Sequence, residues 1–160
     1  MPVLLRTLLV TAALFSTHAI AHEITAGDLH IQHPWSRALP PVATTGAAYM
    51  VIQNQGAESD TLLGASTPIA EDVQLHEHVH HDDVMTMQRV DSIELAPGEQ
   101  VEFAPGGYHV MLFGLQQPLV AGHTYPMTLK FAQAGDVNVE VHISGDEAVK
   151  PAEHGHSHHH

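Results

Sequence analysis

The run Tyr108-His109-Val110-Met111-Leu112 sets an imidazole and a thioether two residues apart among strand-forming neighbours. In an extended chain alternate side chains share a face. His109 and Met111 therefore point the same way, about 7 Å apart along the backbone, and Tyr108, Val110 and Leu112 point the other way. Residues 73–80 repeat the device, with Val73, Leu75 and Val79 on one face and Gln74, His76, His78 and His80 on the other. After an acidic turn, His81-Asp82-Asp83, the segment Met85-Thr86-Met87 offers two thioethers on one face. A His/Met set gathered from adjacent strands is soft, neutral and free of thiol. Thioether sulfur has little affinity for Zn²⁺, Mg²⁺ or Ca²⁺ and suits Cu(I). Two imidazoles with two thioethers favour Cu(I) over Cu(II), because the oxidised ion prefers tetragonal nitrogen and oxygen donors. Such a site holds copper without cycling it easily.

The elements that must carry these residues read as strands. Short apolar or alternating runs at 29–33, 46–54, 61–66, 73–79, 85–90, 92–95, 100–103, 108–112, 124–131 and 137–143 are broken by turn signals. The signals include Pro40-Pro41, Gln55-Gly56, Pro97-Gly98, Pro105-Gly106-Gly107 and Ala134-Gly135-Asp136. In the last run Val137, Val139, Val141 and Ile143 alternate with Asn138, Glu140 and His142, which gives one buried and one wet face. Many short strands so punctuated predict an all-β fold, a sandwich of Greek-key type. The 160 residues suffice for one such domain.

Composition narrows the chemistry. There is no cysteine, which removes disulfide scaffolds, thiolate zinc sites and blue-copper centres. A net charge of −13 argues against electrostatic binding of nucleic acid or anionic membrane. Residues 1–21 read as a cleavable export signal: Arg6 supplies the positive end, residues 8–15 an apolar run too short to span a bilayer, and Ala19-Ile20-Ala21 the cleavage pattern. The expected organisation is a signal at 1–21, a folded domain at 22–144 and a polar, His-rich tail at 145–160. The expected location is a bacterial periplasm.

The spacing from His76 to Met87 to His109-x-Met111 resembles the H-x10-M-x21-H-x-M signature of the PCuAC-type periplasmic copper chaperones. Flanking text is similar too: His33-Pro34-Trp35-Ser36-Arg37, Ala47-Ala48-Tyr49-Met50 and Pro105-Gly106-Gly107 before the His-x-Met. The resemblance covers residues 27–143. It implies a cupredoxin-like β-sandwich without the blue-copper cysteine, with Cu(I) held by His76, Met87, His109 and Met111. It also implies delivery to the CuA centre of cytochrome c oxidase subunit II, with or alongside a Sco-type thiol protein. The same ligands would serve a copper-buffering protein with no oxidase client. A copper superoxide dismutase, hinted at by His76-x-His78, meets a redox objection, because two thioethers resist the cycling that dismutation needs. The chain reads as a binder and not an enzyme.

Other donors rank below the quartet. His78 is an extra imidazole beside the first ligand, and Met85 is an alternate thioether or a wall of the site. His22 would carry a free α-amine after cleavage and is a candidate Cu(II) ligand. Met50 and Met127 read as core, Trp35 and Arg37 as fold determinants, and His30, His33, His123 and His142 as satisfied or solvated. In the tail, His154, His156, His158, His159 and His160 put five imidazoles in seven residues. Such clusters prefer Cu(II) or Zn²⁺ and lose metal to protons below about pH 6.5. Deletion of residues 151–160 is expected to abolish weak Cu(II) binding and leave Cu(I) affinity nearly intact, as read by separate titrations with the two ions. Loss of both would refute this division of labour.

Overall fold

The pairing of apolar and polar residues along the chain builds eleven strands in the computed structural model, which describes residues 23–145. They are β1 (Glu23–Ala26), β2 (Leu29–Arg37), β3 (Thr45–Asn54), β4 (Asp60–Ser66), β5 (Ala70–His81), β6 (Val84–Arg89), β7 (Ile93–Leu95), β8 (Gln100–Phe103), β9 (His109–Leu115), β10 (Thr124–Phe131) and β11 (Gly135–Ser144). Among the described residues there is no helix. The hydrogen-bonded order is β6-β5-β9-β3-β2-β11-β10-β4-β7, with β1 on β2 and β8 on β3. Neighbours distant in sequence, such as β9 beside β3 and β11 parallel to β2, make this the expected all-β, cupredoxin-like sandwich. Leu29, Ile31, Ile52, Leu62, Leu112, Leu129 and Val141 lie in its core. Met50 and Met127 are buried there too, as their neighbours suggested.

Besides longer bounds for β5 and β9, two features depart from the sequence reading. β1 is additional: Ala26 pairs with Leu29 across a two-residue turn in which Gly27 has φ +58°. The Gly27-Asp28 pair is a hairpin signal in its own right. β2 runs on to Arg37, beyond the expected end at His33. Pro34 reads as a terminator, yet the ladder with β3 resumes after a bulge between Gln32 and Trp35, with His33 at φ +48°. One extra residue there changes which face each side chain takes. Burial falls on Leu29 and Ile31 before the bulge and on Pro34 and Ser36 after it. Trp35 and Arg37 are thereby turned to the outer face.

Ser36, delivered to the core by that bulge, shares a 2.6 Å hydrogen bond with the Tyr125 hydroxyl of β10. Burial raises the Tyr125 phenol from 10.0 to about 12, against a smaller lowering by Ser36. Between those values the folded state keeps a proton that the unfolded chain has released. Stability is therefore expected to fall as pH rises from 10 towards 12, by at most about 1.4 kcal/mol per pH unit. Half-buried Tyr49, also raised by burial, adds in the same direction. Tyr125→Phe should shallow that alkaline fall and cost about 1–3 kcal/mol near neutrality, where it orphans the Ser36 hydroxyl. Urea unfolding across the pH range reads both effects.

Candidate metal centre

β5 is the axis of the site. Its hairpin with β6 closes through Asp82 and Asp83, both in the left-handed region at φ +47° and +63°. That is the conformation of a two-residue type I′ turn, which aspartate tolerates better than most residues. The turn fixes the register, with His78 opposite Met87, His80 opposite Met85 and His76 opposite Arg89. On the other side of β5, His76 lies opposite His109 and Gln74 opposite Met111. Directly opposed residues of an antiparallel pair project from the same face. Two imidazoles and two thioethers of the expected quartet thus share one outer face across β6, β5 and β9, with His78 among them.

That face continues over β3 and β2. Ala47 is opposite Met111, and Tyr49 is opposite Trp35 with ring centroids 4.7 Å apart. A pocket of about 290 Å³ opens there, and its walls include Arg37, Tyr49, His78, Met87, His109 and Met111. His109 forms the buried side at 2% exposure, and Met87 the wet side at 47%. His76 stands beside this pocket, its ring 5.8 Å from that of His109 and 5.9 Å from that of Phe113. The ring of His78 is nearer to His109, at 4.9 Å.

Hydrogen bonds behind two of the rings set which nitrogen is free. A carbonyl oxygen only accepts, so His109 Nδ1–H donates to Gly107 at 3.0 Å, and Nε2 is the bare nitrogen. Gln74 Nε2 donates to Asp72 at 2.6 Å, which turns Gln74 Oε1 to accept from His76 Nε2–H at 3.0 Å. His76 Nδ1 is then the bare nitrogen. Both bare nitrogens are buried without a hydrogen-bond partner, and so is His78 Nδ1. Buried, unpartnered imidazole nitrogens are costly unless something else occupies the lone pair. Rings fixed by an outer hydrogen bond with the inner nitrogen free are characteristic of metal ligands. Among the described residues no three His, Asp or Glu side chains form an ion site by themselves. The thioethers of Met87 and Met111 stand on the same face as these nitrogens, and a His/Met donor set of that kind fits a soft cation such as Cu(I).

The remaining donors separate by position. Met85, 51% exposed, pairs with exposed His80 beside the Asp82-Asp83 turn. His30 is engaged with Glu23 at 3.3 Å and with Gln32, as a satisfied histidine. His22, the five tail histidines from His154 to His160, the export signal at 1–21 and all but the first residue of the tail lie outside the described residues. The sequence reading placed Gln74 on the histidine face without a role and missed the Asp72–Gln74 relay. The signal was present as polar residues at i−2 and i−4 from His76 on one strand face. The Gly107 carbonyl left no side-chain signal at all.

Known proteins share the sequence pattern and the fold. Residues 29–143 match the family described as "Putative lipoprotein LpqE-like". The "Putative lipoprotein Lxx21020" of Leifsonia xyli subsp. xyli is 33% identical over 119 residues, 74% of this chain and 70% of that protein. The copper-bound PCuAC domain from PmoF2 superposes with a TM-score of 0.66 at 32% identity, covering 78% of this chain and 98% of the domain. The Cu(I) form of DR1885 from Deinococcus radiodurans gives 0.55 at 30% identity, covering 80% and 83%.

Burial lowers both oriented imidazoles below the ordinary histidine value of 6.5. For His76 desolvation leads and Arg89 adds to it. For His109 desolvation leads, the Gly107 hydrogen bond opposes it, and His78 and His76 add further lowering. Both rings thus stay neutral, with a lone pair to give, where a free histidine is already protonated. Below pH 6.5 the unfolded chain binds protons that the metal-free folded state does not, so stability should fall as pH drops through that range. Ring-proton NMR titration should place both midpoints below 6.5, and the urea midpoint should be lower at pH 5 than at pH 7. Midpoints at or above 6.5 would contradict the buried environment.

Proposed function

The chain belongs to the LpqE-like family, and from that premise we propose that it is an exported copper chaperone whose cargo is Cu(I). The ligands are His76, Met87, His109 and Met111, and the recipient is the CuA centre of cytochrome c oxidase subunit II, reached directly or with a Sco-type thiol protein. One observation carries the reading: His76 Nδ1 and His109 Nε2 are buried, unpartnered and fixed from behind, on the strand face that presents both thioethers. Relatives of similar fold support it, one copper-bound and one in its Cu(I) form.

Each part of the site has a task. His109, almost wholly buried, fixes one coordination position deep in the sheet face. Met87, half exposed on the terminal strand β6, leaves the cargo open to an incoming ligand from a partner. Handover then proceeds as ligand exchange from the wet side inward. Two thioethers hold the ion in its reduced state, which suits a carrier and not a redox enzyme. The tail takes Cu(II) in this scheme. Ser144 at the end of β11 lies beside Arg37, a wall of the pocket, so the chain continues towards the tail from the border of the site. Tethering there raises the local copper concentration. His22 is at most an auxiliary Cu(II) ligand.

An anaerobic Cu(I) titration against a competing chelator tests the assignment. One tight equivalent is expected, weakened by orders of magnitude in the Met87→Leu/Met111→Leu double variant. Unchanged Cu(I) binding, or a preference for Cu(II) or Zn²⁺, would move the site to the histidines alone. Gene deletion separates delivery from buffering: delivery predicts lower oxidase activity under copper limitation, and buffering predicts greater copper sensitivity.

A further inference from the structure

Three buried imidazole nitrogens at this face lack a partner, and the proposed quartet uses only two of them. The third, His78 Nδ1, has no account in a scheme built on His76, Met87, His109 and Met111. We propose that His78 and His76 are alternative ligands for a single coordination position, so that Cu(I) is held by Met87, His109, Met111 and either imidazole. This rests on the copper reading above and deepens it.

Three observations support exchange over a fixed assignment. The β5–β6 register sets His78, and not His76, directly opposite Met87. His78 lines the pocket together with Met87, His109 and Met111, whereas His76 stands at its side. The His78 ring is closer to His109 than the His76 ring is, at 4.9 against 5.8 Å. The two rings also differ in restraint. His76 is fixed by the Asp72–Gln74 relay, whereas no ring hydrogen bond restrains His78 among the described residues. His76 is thus the pre-oriented ligand and His78 the adjustable one.

The exchange needs no electron and no net proton transfer. One neutral imidazole lone pair replaces another on Cu(I), and the copper–nitrogen bond to His76 breaks as the bond to His78 forms. A carrier gains from this because the ion remains four-coordinate while one side of its shell is opened to a recipient.

A double-substitution cycle tests the exchange in the full exported chain, with Cu(I) affinity read anaerobically by chelator competition. His76→Ala and His78→Ala should each weaken the tight equivalent modestly. The double variant should weaken it by at least about tenfold more than the product of the two, as redundant ligands require. If His76→Ala alone matches the double variant, the exchange is refuted. The Met87→Leu/Met111→Leu control keeps the two levels apart: full Cu(I) affinity there overturns the copper reading itself. Long-range ¹H–¹⁵N spectra of the unsubstituted protein avoid any folding defect of the variants. Ring nitrogens of both His76 and His78 should shift on adding one Cu(I) equivalent, and a shift confined to His76 refutes the proposal.

Discussion

The Gly107 carbonyl oxygen accepts two hydrogen bonds, from the His78 backbone N–H at 3.2 Å and from His109 Nδ1–H at 3.0 Å. One oxygen thus joins β5 to the entry of β9 and selects the tautomer of the most buried imidazole. It is held in place by the turn before it, in which Gly107 N–H donates to Ala104 at 2.9 Å and Gly106 takes φ +88°. A side chain at Gly106 would strain that conformation. A slip of one residue between β5 and β9 would send His109 and Met111 into the core and bring Val110 to the surface. The site therefore depends on a backbone contact as much as on its donors.

The precision of the donors comes from the opposite side of the sheet. Leu75 lies between His76 and the Gln74 of the relay, and Val110 lies between His109 and Met111. Leu75, Val110 and Leu112 are all buried in the core. Close packing there limits how far these strands can shift, and so limits the movement of the polar side chains between them. β6 is different. All six of its residues are exposed, and among the described residues it pairs only with β5. The face is firm at His109 and looser towards Met87, a gradient that runs from the middle of the sheet to its edge.

Much of this was legible in the sequence because alternation is a local property. The faces of β5, β9 and β11 follow directly from period two, and the acidic pair Asp82-Asp83 marks the hairpin that brings Met87 to β5. Pairings between distant strands are not local. Nothing within residues 73–80 states that β9 will lie beside them, and the facing of His76 with His109 emerged only from the fold. The far half of β2 was not legible because Pro34 is compatible with either a strand end or a bulge, and the distinction depends on β3 opposite. The Asp72–Gln74 relay was obscured for a different reason: polar residues on a wet strand face ordinarily need no explanation. The Gly107 carbonyl belongs to the main chain, where composition is silent.

The half-exposed thioether of Met87 also carries a liability. An oxidant that reaches this sulfur converts it to the sulfoxide, a polar and chiral group whose oxygen is a hard donor. The strand would retain its pairing, because β6 is held to β5 through the backbone. If Met87 serves as the proposed ligand, damage would therefore weaken copper holding without unfolding the protein, and a methionine sulfoxide reductase would restore it. Buried Met50 and Met127, at 1% exposure, are shielded from the same chemistry. The exposure of Met87 thus ties the state of this sulfur to the oxidants of its surroundings.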